Sequence, residues 1–182
     1  YRGMLRAIQN NSELSKLWMR RGTFKKSSSI PVDSIEHFDT IIHPMDSVEI
    51  QIEEIKHNVE KITCPPIIML DSEELLTREE VRSRLGVPID AVVIYVQLGA
   101  GEINEIDSEI RLTIDALIKN PNVHVILGES LLGKRTDIDL PRVKILRDYP
   151  NSMYFNGFDA TVQAGGYNSF HETRNFGLPA LF

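Results

Sequence analysis

The sequence is poor in cysteine, in long apolar runs and in net positive charge. It holds one cysteine, Cys64, in 182 residues, so an internal disulfide framework is excluded and a reducing compartment, the cytoplasm, is expected. No apolar stretch reaches the ~18–20 residues that span a bilayer. Acidic residues outnumber basic ones by 26 to 20, which argues against a general nucleic-acid-binding protein.

The motifs of several enzyme classes are also missing. The dinucleotide fingerprint Gly-x-Gly-x-x-Gly fails because residue 104 is Asn, and no Walker A pattern occurs. None of the five histidines lies at ligand spacing from a cysteine or carboxylate, so no zinc site is expected. Asp137-Ile-Asp139 has the spelling of a metal-binding Asp-x-Asp motif, but it stands in a polar loop. We therefore expect no obligatory metal.

What the chain does contain is an ordinary globular composition, 42% hydrophobic and 25% charged, with an uneven charge distribution. Residues 1–30 are basic although the chain as a whole is acidic. Their charged side chains are Arg2, Arg6, Lys16, Arg20, Arg21, Lys25 and Lys26 against Glu13 alone.

The apolar spacing over residues 1–21 predicts a helix whose polar side is basic. Such a helix could meet anionic lipid, so peripheral membrane contact through residues 1–30 is one expectation. The alternative is a basic, solvated helix face. Beyond it, residues 38–44 predict a short strand ended by proline, and residues 45–62 are compatible with helix or loop.

The double proline after Cys64 resists both a helix and a central strand, so a domain boundary is expected near residue 66. Residues 67–182 then alternate strand-like runs with helical patterns. Thr77 to Glu80 forms a capping box that opens a helix closed by Gly86, and residues 105–119 predict a longer helix. Strands are expected over residues 91–98, 123–127, 143–146, 159–164 and 180–182.

This alternation predicts the fold class α/β, with a Rossmann-like parallel sheet and helices on both faces. In such sheets ligands bind beyond the carboxyl ends of the strands. Two glycine turns occupy that position. Gly99-Ala100-Gly101 follows the strand at 91–98, and Gly165-Gly166 follows the strand at 159–164. An ordinary tight turn without a ligand is the alternative for each.

The second turn leads into a predicted helix at 167–176, which Gly177 and Pro179 stop. The first amides of a helix lack partners within it, and its dipole is positive there, so this end suits a phosphate. Glu172 lies six residues after Gly166. A carboxylate at this offset can accept hydrogen bonds from a ribose diol while a diphosphate binds at the helix start.

The stretch 159–182 resembles the donor-nucleotide motif of GT-B glycosyltransferases, in particular the C-terminal domain of the peptidoglycan N-acetylglucosaminyltransferase family. The glycine-rich turn at 99–101 lies at the same place as a glycine-rich loop of that family. The likeness covers roughly residues 75–182. The matching residues of the stretch are Asp159, Gly165, Gly166, Glu172, Gly177 and Pro179.

The resemblance implies a metal-independent transferase that moves a sugar from a UDP-sugar donor to an acceptor hydroxyl. Residues 1–66 would be the end of an acceptor-side domain with its linker, and residues 67–182 a nucleotide-sugar-binding domain whose C-terminal part is missing. The acceptor, lipid-linked or a small molecule, and the catalytic base remain open. The residues expected at the donor are Gly99, Ala100, Gly101, Leu146, Arg147, Gly165, Gly166, Tyr167, Asn168 and Glu172.

Two alternatives share this fold. One is a non-catalytic donor-binding subunit that works only when a partner polypeptide supplies the acceptor half. The other is a UDP-sugar 2-epimerase, which would release an epimerised free sugar and UDP without an acceptor.

Overall fold

The computed structural model describes residues 11, 13–20, 37–46, 59–99, 106–129 and 137–182. The chain divides into two compact units, Tyr1–Ile67 and Ile68–Phe182. Each unit contains a parallel β-sheet.

The first unit holds a three-stranded sheet in the order β1-β2-β3. Its strands are β1 (Leu17–Met19), β2 (Thr40–Pro44) and β3 (Glu60–Cys64). The backbone N–H of Lys16 donates to Asp39 Oδ2 at 2.7 Å, and the Trp18 ring stacks on Phe38 with centroids 5.2 Å apart. These contacts fix the entry into β1 beside the start of β2.

The helix predicted over residues 1–21 is wrong where the structure describes it, because Leu17–Met19 is a strand paired with β2. Residues 1–10 lie outside the described residues, as do most of the basic side chains behind the membrane-contact prediction. The strand predicted at 38–44 is confirmed as β2. The region predicted as helix or loop ends in β3, and its residues 47–58 lie outside the described ranges.

The second unit is a five-stranded, all-parallel sheet in the order β6-β5-β4-β7-β8. Its strands are β4 (Val92–Gln97), β5 (Val123–Gly128), β6 (Val143–Leu146), β7 (Ala160–Gln163) and β8 (Ala180–Leu181). Helix α1 (Arg78–Leu85) precedes β4, α2 (Asp107–Leu117) connects β4 to β5, and α3 (Tyr167–Asn175) connects β7 to β8. This is the Rossmann-like α/β arrangement that the sequence predicts.

The sheet is covered on both faces, because alternate residues of each strand point to opposite sides. On one side Val96 and Val125 pack against Ile110 and Ile114 of α2. On the other side the core contains Val81 of α1 and the residues around a 3₁₀ helix, Asn151–Gly157, which the sequence reading missed. Helix α3 lies on this second side, since Gln163 Nε2 of β7 donates to Thr173 Oγ1 at 3.3 Å.

Helix α1 begins at the predicted capping box: Thr77 Oγ1 accepts from the N–H of Glu80, and Glu80 Oε2 accepts from the N–H of Thr77 at 2.8 Å. It ends at Gly86, whose φ of +55° is the left-handed conformation expected of a glycine stop. Among the described residues, no helix has both the length and the apolar character that a membrane crossing needs.

Asp159 ties α1 to the sheet. Its carboxylate accepts from Arg78 at 2.8 Å, from Arg82 at 2.9 Å and from the N–H of Val93 at 2.7 Å. Burial alone would raise the pKa of Asp159, but these hydrogen bonds outweigh it and the pKa is lowered. Asp159 precedes β7 and Val93 lies near the start of β4, so this residue of the resembling motif serves the framework at the amino ends of the strands.

Candidate functional site

The chain leaves the neighbouring strands β4 and β7 in opposite directions. From β4 it crosses through α2 to β5 on one side, and from β7 it crosses through α3 to β8 on the other. The carboxyl ends of the two strands, Gln97 and Gln163, are register partners. Such a reversal opens a crevice at the carboxyl edge of an open sheet, and ligands of α/β proteins bind there.

A cavity of about 670 Å³ opens at this edge, within the size range of small-molecule sites. It lies beside β4 and β7, between the 3₁₀ helix and α3. Apolar and uncharged polar side chains make up most of its wall. The lining residues are Met69, Tyr95, Gln97, Tyr149, Pro150, Asn151, Ser152, Phe155, Gln163, Asn168, Ser169 and Glu172.

Glu172 is the one charged side chain among the described residues that line this cavity. Asn168, Ser169 and Glu172 share one face of α3 because they are spaced three and four residues apart. The carboxylate is half-buried, and this burial raises the pKa of Glu172, although a hydrogen bond from Ser152 acts in the opposite direction. The arrangement places a partly desolvated hydrogen-bond acceptor in the cavity wall.

The turn at Gly165-Gly166 presents bare backbone at the start of α3. Both glycines are exposed. No described atom lies within 4 Å of where a Gly165 side chain would begin, and the Ser169 hydroxyl is 3.9 Å from that point at Gly166. The N-cap residue of α3 is Gly166, which has no side chain to cap the helix start. Backbone without side chains therefore faces the space beside the start of α3.

The other glycine turn is described only at its first residue. Gly99 is exposed and has a φ of +113°, a conformation that other residues rarely adopt. No described atom lies within 4 Å of the position of an added Cβ. The remaining predicted site residues of this turn, Ala100 and Gly101, lie outside the described residues.

Leu146 and Arg147 are not among the lining residues of the cavity. The Leu146 side chain is buried in the core, and its carbonyl accepts the N–H of Glu129 at 3.1 Å. Arg147 Nε donates to Glu129 Oε2 at 2.7 Å. The Glu129 carbonyl also accepts the Tyr149 hydroxyl. These bonds hold the segment that leads to Tyr149 and Pro150 in the cavity wall.

Tyr167 and Asn168 have different surroundings although they are neighbours. Asn168 lines the cavity. Tyr167 is not in the lining, and its ring lies 4.3 Å from that of the buried His171. Of the predicted donor residues, the structure therefore places Asn168 and Glu172 in the cavity wall and the two glycines 165 and 166 at the helix start beside it.

Sequence reasoning missed most of the wall. Tyr95 belongs to a strand that reads as uniformly apolar, and its side chain is fully buried. Gln97 and Gln163 are polar residues at the carboxyl ends of adjacent strands, a signal that could have pointed to the crevice. The 3₁₀ helix contributes Asn151, Ser152 and Phe155, which carry no motif.

The described residues contain no group of three His, Cys, Asp or Glu side chains placed to hold a metal ion. Asp137 and Asp139 are exposed and are not among the residues that line the cavity.

No family model matches the chain, and no curated protein matches it. The solved structures that match include Spinosyn Forosaminyltransferase SpnP, with 14% sequence identity and a TM-score of 0.44. The match covers 79% of this chain and 35% of that one, so the chain spans about a third of the length of that protein. A likeness at this level identifies neither a family nor an activity for the chain.

Proposed function

We propose that this chain is the donor-binding part of a GT-B glycosyltransferase that takes a UDP-sugar and transfers the sugar to an acceptor hydroxyl. The observation that carries the proposal is Glu172, a half-buried carboxylate in the wall of a cavity at the switch point of the sheet. The cavity has the size of a small-molecule site. It is largely uncharged apart from Glu172, so it suits the neutral base and ribose of a nucleotide.

A carboxylate repels phosphate, so the diphosphate must lie away from Glu172. Glu172 is five residues beyond Tyr167, about 7.5 Å along the helix axis at 1.5 Å per residue. A ribose diphosphate can bridge that separation. The ribose hydroxyls would then donate to Glu172 while the phosphates meet the glycine turn at the start of α3.

The helix start would also assist the chemistry. When the bond between the sugar and the diphosphate breaks, negative charge grows on the leaving phosphate. Backbone amides and the positive end of the α3 dipole stabilise that charge without reorganising. This supports transfer without an obligatory metal. Gly99-Ala100-Gly101 would approach the diphosphate from the end of β4.

A donor-binding subunit is the second candidate. Among the described lining residues, none besides Glu172 is an aspartate, glutamate or histidine that could act as base toward an acceptor. In the first candidate the base comes from an acceptor-side domain of the same protein. In the second it comes from a partner polypeptide, and sugar transfer appears only when that partner is added.

Isothermal titration with UDP tests the site directly. We expect Glu172→Ala to weaken UDP binding about 10-fold or more, because hydrogen bonds to a charged group contribute roughly 1.5–3 kcal/mol. The charge-matched control is Glu79→Ala at an exposed position of α1, which should bind UDP like the unaltered protein. Equal UDP affinity in Glu172→Ala and the unaltered protein would refute the assigned role.

A further inference from the structure

Two polar atoms in the wall of the cavity lack a hydrogen bond with any described residue. They are the hydroxyl of Tyr95 and Nδ2 of Asn151, and both atoms are buried. Tyr95 stands on β4 with its ring stacked on Phe158, the centroids being 5.1 Å apart. Asn151 is the first residue of the 3₁₀ helix. Both residues line the cavity.

Both groups belong to the same cavity wall. Burial raises the pKa of Tyr95, and the side chain of Asn151 acts in the opposite direction. Their approach does not complete a hydrogen bond. The charge of Glu172 also raises the pKa of Tyr95, so the hydroxyl remains protonated and can donate.

A buried polar group without a partner costs about 1–3 kcal/mol, and folded proteins contain few of them. A phenylalanine at position 95 would fill the same core space without that cost. The backbone also leaves room for the hydroxyl, because a Cβ on Gly128 would lie 2.1 Å from the Tyr95 oxygen. Two such donors in one cavity indicate that a ligand atom supplies the missing acceptor.

We propose, on the basis of the donor site described above, that Tyr95 and Asn151 determine base specificity by donating together to an oxo group of the nucleobase. The oxo group is the one that distinguishes uracil from cytosine and guanine from adenine. An oxygen accepts two hydrogen bonds at once. The amino group of cytosine or adenine carries hydrogens and would leave the Asn151 amide facing another donor.

The contacts of Glu172 fit this assignment. Glu172 would hold the ribose, and because Tyr95, Asn151 and Glu172 line one cavity, the base-reading pair shares a wall with the ribose position. Ser152, which follows Asn151 in the 3₁₀ helix, lines the same cavity as Glu172 and lowers the pKa of its carboxylate. Base and ribose would therefore be read by one continuous wall formed by β4, the 3₁₀ helix and α3.

The experiment compares the affinities of UDP and CDP for the unaltered protein, for Tyr95→Phe and for Asn151→Ala. We expect the unaltered protein to prefer UDP. Each substitution should weaken UDP binding roughly 3- to 10-fold, the value of one neutral hydrogen bond. Neither should weaken CDP binding, and Asn151→Ala removes the donor that faces the cytosine amino group. The melting temperature of Tyr95→Phe should stay the same or rise, because a buried hydroxyl without a partner is removed.

Tyr154→Phe is the matched control. The Tyr154 hydroxyl is also in the core of this unit, but it donates to Asp148 at 2.5 Å and Tyr154 does not line the cavity. This variant should lose stability and keep the preference for UDP. A Tyr95→Phe protein that loses stability while binding UDP normally shows a structural hydroxyl and overturns the proposal.

The results distinguish the base-reading proposal from the donor-site proposal on which it rests. If Glu172→Ala weakens UDP binding while Tyr95→Phe and Asn151→Ala bind UDP and CDP like the unaltered protein, the base-reading pair is wrong and the donor site stands. If the unaltered protein binds neither nucleotide, the donor site itself is wrong and the pair falls with it. Should Tyr95→Phe fail to fold, Asn151→Ala decides between the same outcomes.

Discussion

Ser152 of the 3₁₀ helix and Glu172 of α3 line the same cavity, and the Ser152 side chain, as a hydrogen-bond donor, lowers the pKa of the Glu172 carboxylate. It partly offsets the effect of burial, which raises the pKa of Glu172 above its ordinary value of 4.5. The carboxylate of Glu172 therefore loses its charge at a higher pH than an exposed glutamate does.

The first prediction is that UDP affinity falls as the pH is lowered through a range that begins above 4.5. Ionised Glu172 accepts hydrogen bonds from the ribose hydroxyls, whereas the protonated form loses half of this capacity. Because the pKa of Glu172 is raised, the loss begins at a higher pH than for an exposed glutamate. Titration calorimetry with UDP across this range measures the effect.

Glu172→Gln is the control, since it removes the titrating group and keeps the shape. The phosphates of UDP titrate near pH 6 themselves, so the ratio of unaltered to variant affinity reports Glu172 alone. A ratio that does not change with pH would contradict the assigned contact.

Without UDP, the raised pKa of Glu172 affects stability in the direction opposite to that of a carboxylate with a lowered pKa. The folded state binds more protons than the unfolded state, so the free energy of unfolding falls as the pH rises through this range.

The second prediction concerns the framework: Asp159→Asn should destabilise the protein by about 2–4 kcal/mol. The substitution leaves the guanidinium of Arg82, which is only 2% exposed, without its counter-charge. This expected loss of unfolding free energy is no larger than the cost of breaking a fully buried ion pair, because Asp159 itself is 33% exposed. Urea unfolding at neutral pH measures the loss, and Asp115→Asn on the exposed side of α2 is the control.

Lowering the pH should destabilise the protein in the same way as Asp159→Asn does. The pKa of Asp159 is lowered in the folded state, so its contribution is present above the ordinary aspartate value of 3.8 and is lost as the pH falls below it. The stability difference between the unaltered protein and Asp159→Asn should therefore shrink toward zero in acid. A difference that stays constant down to pH 2 would show that the ion pair is not its source.

The third prediction concerns the contact between α1 and the 3₁₀ helix. A Cβ at Gly157 would lie 2.0 Å from Cγ1 of Val81, which is fully buried. Gly157→Ala should therefore cost about 1–3 kcal/mol through overpacking, with no contribution from φ because Gly157 is not among the residues with positive φ. Thermal or urea unfolding measures this cost.

The double variant identifies the cause. Val81→Ala makes room for the added methyl group, so Gly157→Ala combined with Val81→Ala should be destabilised by less than the sum of the two single changes. Additive losses would show that Gly157 matters for a reason other than its contact with Val81.

Most of the second unit could be predicted because its signals are local. The capping box at Thr77, the left-handed stop at Gly86 and the apolar face of α2 act within one helix each, and the structure shows all three. The strand run ending at Gln97 is apolar on both sides because α2 covers one face and the 3₁₀ helix region covers the other.

The secondary structure of the first unit could not be predicted in the same way. Leu14, Leu17 and Trp18 are spaced as on a helix, yet Leu17–Met19 forms a strand because it pairs with Thr40–Ile42, more than twenty residues away. Such pairing is decided by tertiary contacts that override local propensity. The 3₁₀ helix was missed for a related reason, since its packing against α1 depends on the absence of a side chain at Gly157.

The residues of the candidate site also differ in whether local sequence could indicate them. Glu172 and the turn at Gly165-Gly166 carry a pattern that spans a single strand–turn–helix unit, so the sequence could indicate them. Tyr95 and Asn151 are 56 positions apart in the sequence and share a wall only because β4 and the 3₁₀ helix meet in space. Their role could not be predicted from spacing.

The crevice between β4 and β7 arises from the path of the chain and not from any side chain around it. Replacing a residue of its wall therefore alters which molecules fit while the opening itself persists. A scaffold of this kind can acquire a new ligand preference through few substitutions and at little cost to folding. Its selectivity is free to diverge faster than its architecture.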